Sequence, residues 1–136
     1  MAIKVLKKID QIEACKKLEE NPQNLIIDSI TSIKQTTYNP EKFYFYINFL
    51  MEDGSKFGMS YTFDLIDGDE FECTTYSKLF VLVKDFLDID EEACSGIRFS
   101  KNDLRKVLLK KEFLATAEFR EAYGKTVPYI KVKKIL

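Results

Sequence analysis

The stretch FYFYINFLMEDGSKFGMSYTF, residues 43–63, decides how this chain folds. It holds eight of the chain's aromatic residues, which number seven Tyr and eleven Phe, so it cannot be a solvated loop. Two apolar runs flank Asp53-Gly54, a strong short-range signal for a β-hairpin. The loop length settles the faces. A two-residue loop would set Phe43, Phe45, Ile47 and Phe49 beside Gly58, Ser60 and Thr62, mixing bulky apolar groups with polar ones. A three-residue loop, Glu52-Asp53-Gly54 with Gly54 left-handed at a bulge, shifts the register by one and flips the pairing. Phe43, Phe45, Ile47, Phe49, Phe57, Met59, Tyr61 and Phe63 then share one face. Tyr44, Tyr46, Asn48, Leu50, Lys56, Gly58, Ser60 and Thr62 share the other. Only this arrangement separates core from surface, and it leaves an outer face without a carboxylate.

Outward from the hairpin, the apolar spacing over residues 3–20 predicts an amphipathic helix ended by Asn21-Pro22. Residues 25–37, LIIDSITSIKQTT, are β-branched and predict a long strand. Its apolar phase changes between Ile26, Ile30 and Ile33, which calls for a bulge or bend. Asn39-Pro40 turns into the central hairpin and Asp67-Gly68-Asp69 closes its second strand. SKLFVLVKDFLD then predicts a helix with Leu79, Leu82, Val83, Phe86 and Leu87 along one face. A second short helix is expected at 100–109, with Ser100 and Asp103 as a capping box. Residues 112–120 alternate strictly, with Phe113, Ala115, Ala117 and Phe119 inward. After the turn at Tyr123-Gly124-Lys125, residues 127–135 predict a last strand with Ile130 and Val132 inward and Tyr129, Lys131 and Lys133 outward. Pro128 is acceptable at a strand start or on an edge, but not in a sheet centre.

The expected fold is therefore mainly β with helices (β/α+β). Helix, bent strand, hairpin, helical insertion and hairpin is the element order of a five-stranded oligonucleotide-binding barrel. The expected organisation is one domain over 1–136, with an N-terminal helix in 1–22 and the barrel in 25–136.

Composition narrows the chemistry. The chain is 46% hydrophobic and 32% charged, as in ordinary globular proteins. It contains no histidine, which removes His-based acid–base catalysis and the Ser-His and Cys-His nucleophile pairs. No glycine-rich phosphate loop is present, and the acidic clusters at 67–72 and 88–92 lack calcium-loop spacing. No enzyme, cofactor or metal site is expected. Cys15, Cys73 and Cys94 are widely spaced and odd in number, which reads as reduced thiols of a cytoplasmic protein. No apolar run is long enough to span a bilayer, so no membrane partner is expected.

The net charge is only −1, but it is segregated. Residues 64–92 carry ten acids against Lys78 and Lys84, and residues 98–134 carry eleven bases against four acids. Such asymmetry fits either a polyanion-binding face or a solvated surface. Single-stranded nucleic acid binds by stacking bases on aromatic rings while Lys and Arg follow the phosphates. Tyr44, Tyr46, Asn48 and Lys56 on the outer hairpin face are candidates for that work. So are Arg120, Tyr123, Lys125, Tyr129, Lys131 and Lys133 on the closing hairpin. The competing reading is that the tyrosines are simply covered, by the N-terminal helix or by a partner.

The central hairpin, SKLFVLVKDFL (77–87), and DLRKVLLKKEFLATAE with YGKTVPYIKVKKI (103–118 and 123–135) together resemble the small single-stranded-DNA-binding proteins of phages and mobile elements. Lys110-Lys111 stands where those proteins show Gly-Lys, the N-terminal helix is an addition, and an acidic C-terminal tail is not shared. The resemblance implies a non-enzymatic, cytoplasmic binder of single-stranded DNA, with RNA a second option. The alternative is an interaction module, an inhibitor or regulator on the same barrel. It would meet a protein partner through the aromatic face or the N-terminal helix.

Overall fold

The computed structural model describes residues 7–68, 70–122 and 124–136. Its elements are α1 (Gln11–Glu20), β1 (Gln23–Ile30), β2 (Lys34–Gln35), β3 (Lys42–Met51), β4 (Lys56–Asp67), β5 (Glu70–Thr74), α2 (Lys78–Val83), β6 (Gly96–Ser100), α3 (Lys101–Leu108), β7 (Glu112–Ala122) and β8 (Lys125–Ile135). A single 3-10 turn, Glu91–Ala93, precedes β6. All strand pairings are antiparallel, in one open sheet ordered β6-β5-β4-β3-β1-β7-β8, with β2 added beside β3. The protein is thus mainly β with a few helices. No described helix is long and apolar enough to cross a membrane.

The central hairpin takes the three-residue loop. Phe43 pairs with Phe63, Phe49 with Phe57 and Leu50 with Lys56. Met51 and Ser55 close the loop with a 2.8 Å backbone hydrogen bond, and Gly54 sits at φ +86°, where a side chain would be strained. The register buries Phe45, Ile47, Phe49, Phe57, Met59, Tyr61 and Phe63 as expected. Phe43, near the end of the hairpin, is only partly buried. Phe49 stacks on Phe57 at 5.1 Å and meets Phe113 edge-on at 6.4 Å, which ties the hairpin to β7.

β1 links the two halves of the sheet. Leu25 lies opposite both Met51 of β3 and Phe113 of β7. The expected bend is a bulge between Ile27 and Ser29, and the strand resumes as β2. The sheet curls strongly, because α1 and α2 each pack on β4 and on β8, which are distant in the strand order. Among the described residues β8 pairs only with β7, so Pro128 does occupy an edge strand.

Four expectations need correction. The N-terminal helix begins at Gln11, not residue 3, and Lys7–Ile9 is extended. The reason is local: Asp10 caps the helix, its carboxylate accepting from the Ile12 N–H at 2.7 Å, while Lys8 bridges to Lys56. The remaining part of that prediction, residues 3–6, lies outside the described residues. Helix α2 stops at Val83, since the chain turns at Lys84–Asp88 and Asp88 adopts φ +53°. Leu79 to Val83 are therefore all buried, and Leu87 is exposed. Third, the stretch after the hairpin is not purely helical. β5 and β6 form a strand pair, with Phe71 and Cys73 inward and Glu72 bound outward to Arg98. The fourth correction concerns Tyr129 and follows from the site geometry below. The α3 cap is as read: Ser100 Oγ accepts from the Asp103 N–H at 3.2 Å.

Candidate nucleic-acid interface

Alternation along β3 and β4 sends every second residue to the side away from the core. Tyr44 faces Thr62, Tyr46 faces Ser60, Asn48 faces Gly58 and Leu50 faces Lys56. Tyr46 is 46% exposed, Tyr44 is half-buried, and their rings meet edge-on at 6.0 Å. Lys34 of β2 pairs opposite Tyr44 and puts a cation at the side of the rings. From Tyr44 to Thr62 this face contains no carboxylate. Lys42 and Asp64 form an ion pair at its far end, 2.7 Å apart.

The face is held rigidly. Thr31 clamps the Tyr46 backbone: its Oγ1 accepts from the Tyr46 N–H at 2.9 Å, and its own N–H donates to the Tyr46 carbonyl at 3.0 Å. Asn48 Nδ2 donates to Ser29 Oγ at 2.9 Å, a contact made possible by the β1 bulge. Lys56 is already engaged, with its ammonium 3.0 Å from Asp28. Asp28 also takes Lys110 at 3.3 Å, and these two lysines, Lys56 first, hold its carboxyl below the ordinary range. Lys56 is thus a poorer phosphate contact than its position alone indicates.

The closing hairpin forms a second cluster. Glu118 binds Arg120 at 3.3 Å and Lys131 at 3.4 Å, and Arg120 first, then Lys131, lowers its pKa. Tyr129 does share a face with Lys131, as read, but it is not open to solvent. The Arg120 guanidinium lies 4.5 Å from its ring centroid and its hydroxyl donates to the Tyr76 carbonyl at 3.4 Å, leaving it 9% exposed. It offers no free stacking face. Lys125 and Lys133 are exposed and form no ion pair among the described residues. Lys133 falls in the bulge where β8 slips against Leu114 and Ala115. Tyr123 lies outside the described residues.

The register separates the two clusters. Tyr46 lies five residues from Met51 in one direction along the strands, and Arg120 lies seven residues from Phe113 in the other, while Leu25 pairs with both reference residues. The candidates thus divide into a tyrosine-bearing hairpin face and a basic hairpin at the opposite end of the strands.

Three residues of the first cluster, Lys8, Thr31 and Lys34, are not legible as site residues in the sequence, and neither is the exposed ring of Tyr38. Tyr38 is 98% exposed in the loop before β3, and a ring beside Asn-Pro in a turn is the one signal that could have marked it. Compared with known proteins, the chain matches no protein-family model, and no curated protein matches it.

Proposed function

We propose that this chain is a non-enzymatic, cytoplasmic binder of single-stranded nucleic acid, built on an oligonucleotide-binding barrel. Supporting the barrel, β4-β3-β1-β7-β8 is the neighbour order of that five-stranded fold, with helices between its third and fourth strands. The curl of the sheet around α1 and α2 supports it further. The resemblance to single-stranded-DNA-binding proteins of phages and mobile elements points the same way.

The observation that carries the function is the outer hairpin face. Exposed Tyr46, its neighbour Tyr44 and the cation of Lys34 stand together on strands whose own outward residues, from Tyr44 to Thr62, include no carboxylate. A base stacks on Tyr46, contributing about 1–3 kcal/mol, while Lys34 and the lysines of the closing hairpin follow the phosphates. Stacking tolerates any base, so binding is broad in sequence, and DNA is favoured over RNA by the resemblance alone.

Fluorescence anisotropy with a labelled oligo-dT against a matched duplex, at two salt concentrations, tests this. Tighter binding to the single strand, weakened by Tyr46→Ala at unchanged salt slope, is the expected result. Absence of binding at low salt would favour a protein partner on the same face.

A further inference from the structure

The outer face beside Tyr46 is bounded by the extended segment before α1. The Lys56 N–H donates to the Lys7 carbonyl at 2.7 Å, and the Ile9 N–H donates to the Lys56 carbonyl at 2.9 Å, so Lys7–Ile9 runs parallel to the start of β4. Ile9 is 6% exposed and anchors this strap in the core. Strap and hairpin enclose a groove of about 470 Å3, lined by Lys8, Asp10, Thr31, Tyr46, Asn48 and Gly58 among others. A hollow of about 230 Å3 shares Lys8, Asn48 and Gly58 and continues the groove toward Lys56. The larger volume falls in the range of roughly 300–1,000 Å3 that holds small organic groups.

We propose that this groove is a nucleobase subsite, in which one unpaired base stacks on Tyr46 and donates a hydrogen bond to Asn48 Oδ1. The inference rests on the single-strand reading above and adds the residue that reads the base. Three features of the groove carry it. Asn48 uses one of its two amide N–H groups on Ser29, which orients the amide with its carbonyl oxygen beside Gly58 at the groove. That oxygen stands over Gly58, where an added Cβ would lie 3.0 Å from it; the glycine keeps the space around the acceptor clear. Thr31 pins the Tyr46 backbone on both sides, which fixes the point from which the ring projects beside the groove.

The charges at the rim fit a nucleotide. Lys8 is exposed at the edge, within reach of a phosphate on the same residue. Asp10 is the one carboxylate among the lining residues, and one of its oxygens is engaged as the cap of α1. The Asn48 acceptor favours a base that presents an N–H, and in thymine the N3–H is the only such group on the pairing edge.

The test compares a labelled oligo-dT with the same oligomer methylated at every thymine N3, which removes that donor. The wild-type protein should bind oligo-dT roughly three- to tenfold more tightly than the methylated strand, the range of one net hydrogen bond. Asn48→Ala should bind both strands alike, near the wild-type affinity for the methylated one. Gly58→Ala, which displaces Oδ1 without removing it, should also lose the discrimination and provides a second variant should Asn48→Ala not fold. If the wild type binds both strands equally, or either folded variant still discriminates as the wild type does, the subsite is refuted and the single-strand reading stands. If the wild type binds neither strand at low salt, both fail together.

Discussion

Cys15 allows a sharp test of how α1 closes the fold. Its thiol is fully buried beside Tyr61 and Lys78, and burial pushes its pKa up to about 12, with Lys78 opposing and Asp10 adding to the shift. An unfolded thiol titrates near 8.5. The folded value is the higher one, so the stabilisation is complete below about pH 8.5 and declines as the unfolded chain sheds its proton. The slope approaches about 1.4 kcal/mol per pH unit, and the loss at pH 9.5 is about 1.4 kcal/mol. Lys78 works in the opposite direction: burial lowers its pKa, so stability rises as pH climbs toward the unfolded lysine value. It is present in wild type and variant alike and largely drops out of their difference. Cys15→Ala should cost about 1 kcal/mol at pH 7 through the deleted sulfur. Because the variant lacks the titration, its stability should overtake the wild type between about pH 9 and 10. Urea unfolding under reducing conditions from pH 7 to 10 measures both curves. Parallel curves would show that the thiol is not buried and that α1 does not seal the gap between β4 and β8.

Two glycines separate backbone strain from steric conflict. At Gly54 an added Cβ meets nothing within 4 Å, so Gly54→Ala should cost only the left-handed penalty, about 1–2 kcal/mol by urea unfolding. At Gly96 the Cβ would lie 2.3 Å from the Cys73 carbonyl oxygen, so Gly96→Ala should part β5 from β6 and cost more than Gly54→Ala. Phe49→Ala should cost about 3–5 kcal/mol, since the ring is fully buried against Phe57 and Phe113. If the closing hairpin contacts phosphates, Glu118→Gln should release Lys131 and Arg120 and steepen the log–log salt dependence of oligo-dT binding by about 0.7 per added contact. An unchanged slope would place the hairpin outside the interface.

The central hairpin was legible because two local signals agree: the period of two and the Asp-Gly turn, which together admit one register. β5 and β6 were hidden because each has only five residues and the outward positions of β5 are acidic. EFECT reads as part of an acidic turn until Arg98, 26 residues further on, supplies a partner for Glu72. The early end of α2 was equally hidden, since Phe86 and Leu87 continue the helical spacing beyond Val83, up to the left-handed Asp88. Local periodicity registers apolar positions and cannot register a backbone reversal.

The candidate site shows the same limit more clearly. Alternation put Tyr46 and Tyr129 on outward faces for the same reason, yet Tyr46 is 46% exposed and Tyr129 only 9%. The difference lies in what each face meets. The Tyr76 carbonyl and Arg120 cover Tyr129, while Tyr46 stands beside the open groove. One wall of that groove is Lys8, joined to Lys56 by a bridge that no spacing rule anticipates. A strand pattern therefore nominates a ring for binding, but only tertiary cover decides whether a base could reach it, and of these two rings only Tyr46 is left uncovered.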